Sequence, residues 1–184
     1  MWKRRNPVKG ALAGMAGGLI ASYIMTEFQV ALKKLKNGRE TSKPHNPGDE
    51  PATIKAAEKV SEPVLGRELR PEEKETAGKI VHYAFGTAVG GVYGLLAEQR
   101  PAARLCLGTA FGSVLWFLSD EVAVPALGLS KGPLDYGLSV HASALASHLV
   151  YGATTECVRS GLRPLLSVPP WMLRLGWRAL RARG

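Results

Sequence analysis

Four stretches without a formal charge constrain this chain more than any other feature. Gly10–Thr26, Ile80–Ala97, Leu105–Ser119 and Tyr136–Thr155 contain no Asp, Glu, Lys or Arg. A helix needs about 20 mostly apolar residues to cross the hydrocarbon core of a bilayer. With a few flanking residues, Val8–Leu32, Ala77–Ala97, Pro101–Val124 and Leu134–Cys157 all reach that length. A soluble helix would instead carry a charged face recurring every 3.6 residues. Tyr136–Thr155 offers, beyond tyrosine, only Ser, Thr and His.

The average composition conceals this segregation. Mean hydropathy is −0.02 and charged residues make up 21% of the chain, values typical of a soluble protein. The reason is one insert, Lys33–Lys79, with 11 Lys/Arg and 9 Asp/Glu. The organisation read from the sequence is therefore a basic flank and first span (1–32), a charged extramembrane insert with a short helix (33–76), three further spans (77–160) and a basic C-terminal segment (161–184). The expected fold is all-α: an integral membrane four-helix bundle with a charged loop insert and a C-terminal interfacial amphipathic helix.

Local signals refine the borders. Ala52–Val60 reads as a short amphipathic helix and Gly66 as a turn. Pro71 followed by Glu72 and Glu73 reads as a helix start, with proline in the first turn and acids at the positive end of the dipole. Pro125 and Gly128 should end the third helix, and Pro133 should begin the fourth. After Pro169-Pro170, Arg174, Arg178 and Arg181 share one helix face, with Trp171 and Trp177 among the apolar residues beside them. That segment is too short and basic to span and is expected to lie on an anionic membrane surface. Lys3-Arg4-Arg5 before an apolar run resembles a signal peptide, but no small-x-small cleavage site follows, so a retained first helix is expected.

Glycines recur four residues apart in the apolar runs: Gly10, Gly14 and Gly18; Gly86, Gly90 and Gly94; Gly108 and Gly112; with Gly152 in the fourth. Small residues at this spacing let helix backbones approach closely in lipid. Cys106 and Cys157 are expected to act as small apolar residues.

Placing the spans antiparallel brings ionisable groups to a common depth. Glu27, His82, Asp120, Glu121 and His141 should lie within about 5–12 Å of one membrane face, and His148 nearer the midplane, at roughly 1.5 Å per residue. Glu98 and Glu156 should meet Arg100, Arg104 and Arg159 at the opposite face. Ionisable groups at membrane depth are costly and point to function. This His/carboxylate layer could relay protons or hold a polar solute. Haem iron or a divalent metal is the lesser alternative, and a ring of interhelical hydrogen bonds is the purely structural one. No cofactor is expected.

No GxSxG, HExxH, CxxC or phosphate loop occurs, so no catalytic role is expected. Nucleic acid is not expected as a partner, because no aromatic-basic surface accompanies the net charge of +9. The expected partners are the lipid bilayer and a second copy or a membrane-complex subunit. Basic residues before the first span, at Arg100 and Arg104, and after the fourth favour both termini inside by the positive-inside rule. Lys33, Lys34, Lys36, Arg39 and Lys43 argue the other way.

His82-Tyr83-Ala84-Phe85-Gly86, Val92-Tyr93-Gly94-Leu95-Leu96-Ala97-Glu98, Asp120-Glu121 with Pro125-Ala126-Leu127-Gly128-Leu129, and His148-Leu149-Val150-Tyr151-Gly152 ending at Glu156 resemble the YagU-like family of bacterial inner-membrane proteins. The resemblance covers about Ala77–Arg159. It implies a multi-spanning protein of the cytoplasmic membrane and implies no reaction. His82, Glu98, His148 and Glu156 are the positions that would match the family pattern.

Overall fold

The computed structural model describes residues 5–37 and 50–167. All regular structure among them is helical. Helix α1 is Pro7–Asn37, α2 is Ala52–Leu65, α3 is Pro71–Gln99, α4 is Thr109–Trp116, α5 is Val124–Ala126 and α6 is Leu138–Leu165. A π-helical segment, Phe117–Ala123, joins α4 to α5 in right-handed helical conformation, so Thr109–Ala126 is one rod. Among the described residues five helical rods thus stand where four were expected, the fifth being α2 of the insert. The expected C-terminal helix with Trp171, Arg174, Trp177, Arg178 and Arg181 lies outside the described residues.

Among the described residues three stretches are long and apolar enough to cross a membrane: Pro7–Lys36, Pro71–Gln99 and Ala102–Ala126, the last including the kinked segment ahead of α4. The fourth expected span, α6, has the length but not the apolarity, since it carries His141, His148 and a series of serines and threonines. Several of those polar groups are satisfied within the helix, whereas His141 bonds to Glu121 and Pro133 outside it. Ser147 Oγ donates to Ser143 O, Thr155 Oγ1 to Tyr151 O and His148 Nδ1 to Ala144 O. A helix that closes its own polar groups can be buried centrally, and α6 packs between α1 and α4.

The bundle has its greasy side outward. Leu12, Leu19, Ile24, Ile80, Phe85, Val92, Val114, Phe117 and Leu118 are exposed, whereas Ser22, Ser147, Thr155, Glu98, Glu156 and Arg159 are buried. In water this would be a costly surface; in lipid it is the ordinary one, because the hydrophobic drive between helices is absent and small or polar residues make the contacts. The apolar core is correspondingly slight: Ala21, Met25 and Tyr151, with Val89, Phe111 and Leu115 against them.

Glycines set the spacing. Gly10, Gly14 and Gly18 of α1 face Gly94, Gly90 and Gly86 of α3 in antiparallel register, and a Cβ at any of them would strike the opposite backbone or side chains. Gly108 and Gly112 meet Gly152 and His148 on α6 in the same way. The predicted packing stripes are therefore spent inside this bundle.

The borders depart from expectation in two places. Pro101–Gly108 is not the start of a regular span. It is an irregular 3₁₀ segment with a kink, in which Cys106 (φ 52°), Leu107 (φ 54°) and Gly108 (φ 83°) take left-handed backbone conformations. The fourth helix begins at Leu138 rather than near Pro133, because Pro133–Asp135 forms a separate 3₁₀ turn. Elsewhere the signals act as read. Pro71 sits in the first turn of α3 with Glu72 and Glu73, Gly66 (φ 68°) caps α2, and Gly128 (φ 65°) follows α5. Glu73 accepts from the Arg70 backbone N–H at 3.0 Å and from both terminal nitrogens of Arg67, at 2.7 and 2.8 Å. That hydrogen-bonded carboxylate raises the Arg67 guanidinium pKa above its ordinary value.

Candidate functional site

The insert helix α2 places a cavity under itself. Lys74 of α3 reaches Glu50 at 3.1 Å and Glu58 of α2 at 2.6 Å. Lys59 of α2 donates to the Leu127 carbonyl at 2.5 Å, beyond the end of α5. Ile54 of α2 lies against Gly78. Between this roof and helices α1, α3 and α6 and the α4–α5 rod is a cavity of about 650 Å³. That is a volume suited to a small organic molecule.

Most of its wall is apolar, including Met25, Phe85, Leu115 and Leu129. The polar groups arrive from separate elements. Ser22 and Thr26 come from α1, His82 from α3, Ser119 and Asp120 from the π-helical segment, and His148 and Tyr151 from α6. His82 Nε2 lies 3.3 Å from Ser22 O and 3.4 Å from Thr26 Oγ1. The carbonyl only accepts, and the Thr26 hydroxyl is spent on Ser22 O, so His82 is the donor to both. Ser119 Oγ lies 2.8 Å from Leu115 O and 3.0 Å from Asp120 Oδ1, so its single hydrogen is shared between two acceptors. Asp120 Oδ2 stands 3.7 Å from His148 Nδ1, whose N–H points to Ala144 O at 3.0 Å. The Tyr151 hydroxyl donates to Gly86 O at 2.5 Å, leaving its ring to the cavity wall.

The π-helical segment gives this arrangement a local cause. One extra residue per turn opens the backbone ladder, a feature common at functional sites. It presents the consecutive acids Asp120 and Glu121 to two different histidines of α6, seven residues apart. Glu121 Oε1 is 2.7 Å from His141 Nδ1, and His141 Nε2 is 2.9 Å from Pro133 O. The Pro133 carbonyl only accepts, so His141 Nε2 carries a hydrogen, and Nδ1 shares one with Glu121.

The six residues expected to form one polar layer therefore divide. His82, Asp120 and His148 line the cavity; His148, expected deeper, joins Asp120 because α6 starts late. Glu121 and His141 pair with each other and are not among the cavity-lining residues. Glu27 is exposed on α1 and does not join them. No group of three or more His, Cys, Asp or Glu among the described residues could hold a metal ion. His82 and His148 are each engaged with backbone carbonyls.

The other end of the bundle holds the expected second charged set, more tightly bound. Arg159 makes a two-pronged contact to Glu156 at 2.6 and 2.7 Å, and Tyr93 donates to the same carboxylate at 2.8 Å. Arg163 grips Glu98 at 2.6 and 3.1 Å, while the Asn6 backbone N–H donates to Glu98 at 3.1 Å. Arg104 donates twice to Ala97 O near the C-terminus of α3, which complements the helix dipole. Arg100 is exposed and serves as the C-cap of α3. Every strong acceptor in this set is matched, so the cluster reads as a clamp between α1, α3 and α6.

Sequence reasoning did not single out Tyr93, Tyr151, Arg163, Ser119 or Thr26. Ser22 had a visible signal, since it continues the Gly10–Gly14–Gly18 spacing, and Tyr93 and Tyr151 stand in the strings that carry the family resemblance.

Residues 69–157 match a family model described as a protein of unknown function, DUF1440. The match runs from just before α3 into α6, so it contains His82, Asp120, Glu121, His141 and His148 but not α1 or α2. No curated protein and no solved structure matches the chain.

Proposed function

We propose that this chain is a membrane-embedded, non-catalytic binding protein for a small, mainly apolar solute with one polar group. The observation that carries the reading is the roofed cavity of about 650 Å³, into which His82, Asp120 and His148 converge from three elements. Apolar walls with a few placed polar groups are the usual make-up of a small-molecule site. Ionisable residues at such depth in a lipid-facing bundle add to it. The neighbouring Glu121–His141 pair supplies a titratable group beside the site, so proton handling coupled to solute binding belongs to the same proposal.

A bacterial cytoplasmic membrane with both termini inside is the location we infer. It is supported by the outward apolar surface, by Arg5, Arg104, Arg159 and Arg163 at one end of the bundle, and by the YagU-like resemblance of the stretch that the family model covers. In this reading α6 is the fourth span, its polar residues turned inward. Assembly into a larger complex is the weaker alternative, because the glycine faces that would have mediated it are occupied within the bundle.

A thermal-stability screen of the detergent-solubilised full chain against small neutral, cationic and anionic aromatic solutes tests the reading. A bound solute raises Tm. At least one class should do so in the parent, and none in a Leu115→Trp variant whose cavity is filled. No response in the parent, or an equal response in Leu115→Trp, would contradict it.

A further inference from the structure

Resting on the solute-binding reading, we infer that the cavity takes an organic cation: an apolar body carrying an ammonium-type group, with the Asp120 carboxylate as its counter-charge.

Charge accounting inside the cavity leads there. Apart from the phenols of Tyr83 and Tyr151, the titratable groups that line it are Glu75, Lys79, His82, Asp120 and His148. Glu75 and Lys79 cancel each other through a contact of 2.6 Å at the exposed rim. His82 donates from Nε2 to a carbonyl and a hydroxyl of α1 and makes no contact with Asp120. His148 spends its Nδ1 hydrogen on Ala144 O. Asp120 therefore has one oxygen that shares the single Ser119 hydrogen with Leu115 O and a second oxygen without a hydrogen-bond donor, His148 Nδ1 being 3.7 Å away. No Lys or Arg among the described residues pairs with it. A carboxylate against apolar walls is stabilised chiefly by an opposite charge brought to it.

The wall chemistry agrees with that charge. Tyr83, Phe85 and Tyr151 line the same cavity. Aromatic faces attract quaternary and primary ammonium groups, with strength that grows as water is excluded. The Tyr151 hydroxyl is already committed to Gly86 O, so what it adds is ring surface. An anionic solute would be repelled by the Asp120 carboxylate, and a neutral solute without a hydrogen-bond donor would leave its free oxygen without a partner.

Two probes of one shape and different charge separate the possibilities: phenyltrimethylammonium and its neutral isostere tert-butylbenzene, titrated onto the full chain in nanodiscs. The cation should bind the parent at least tenfold more tightly than the neutral isostere. Asp120→Asn should weaken the cation at least tenfold and change tert-butylbenzene less than threefold, and Asp120→Glu should restore the preference. Leu115→Trp should abolish binding of both. If tert-butylbenzene binds as tightly as the cation, or Asp120→Asn leaves the cation unaffected, the cation assignment is overturned. Should tert-butylbenzene still be excluded by Leu115→Trp in that case, the solute-binding reading stands. If neither probe binds the parent, both fall.

Discussion

Gly14 of α1 and Gly90 of α3 meet backbone to backbone, each occupying the space where the other's Cβ would be. The same antiparallel register carries Gly18 to Gly86 and then Ser22 to His82, so the glycine contact delivers the histidine to its hydrogen-bond partner on α1. A side chain at Gly90 has no room that rotamer change can supply, because the obstacles are main-chain atoms. Gly90→Leu should cost about 3 kcal/mol, the upper range for overpacking, read by thermal unfolding in detergent. Gly161→Ala, at an open helical position of α6, should instead stabilise by about 0.5–1 kcal/mol. Equal effects at the two positions would remove the close-contact account.

The Glu156–Arg159 pair should behave as a buried clamp. Glu156→Met alone leaves the Arg159 guanidinium and the Tyr93 hydroxyl without their acceptor, and should cost about 3–5 kcal/mol. The double variant Glu156→Met, Arg159→Leu removes both charges and should lose less than the single change. A double-mutant cycle checks this. Additive losses would mean that the two side chains act independently.

Lys74 ties the roof to α3 through Glu50 and Glu58, all partly exposed. Contacts of that kind contribute about 0–1 kcal/mol each. Lys74→Glu should therefore leave global unfolding nearly unchanged. Backbone amides of Ala52–Leu65 should nevertheless exchange hydrogen at least tenfold faster, as the roof opens locally. Unchanged exchange in α2 would show that Ile54 and Lys59 hold it without Lys74.

The two paired histidines should answer differently to the loss of Glu121. His141 faces a carboxylate and a carbonyl, whereas His148 uses Nδ1 on a carbonyl. Glu121→Gln should move the His141 Nδ1 signal in histidine ¹⁵N spectra and leave both His148 signals in place. An unmoved His141 Nδ1 signal would contradict the pairing.

Much of this architecture was written in the pattern of charge. The uncharged runs marked α1, α3 and the Thr109–Ala126 rod, and Pro71, Gly66 and Gly128 marked borders, because these residues act on the backbone within one turn. The glycine spacing announced close packing, though not which helices would pair, since a stripe carries no address. The polar layer was legible only in part. Depth was counted from assumed helix starts, and the separate turn at Pro133–Asp135 moved the start of α6 and brought His148 beside Asp120. Nothing in Phe117–Ala123 signals a π-helix, yet that segment decides which histidine each acid meets. The roof was half visible: Ala52–Val60 read as amphipathic, but what it covers depends on contacts with Gly78 and Leu127, distant in sequence.

Two methionines offer the most direct test of the cavity. Met25 is buried and lines it, whereas Met15 lies on the outer groove between α1 and α3. With ¹³C-methyl methionine, addition of phenyltrimethylammonium to the full chain in nanodiscs should shift the Met25 resonance and leave Met15 in place. Leu115→Trp should abolish the Met25 response. A shift at Met15 with none at Met25 would place the solute on the lipid-facing surface and contradict the account.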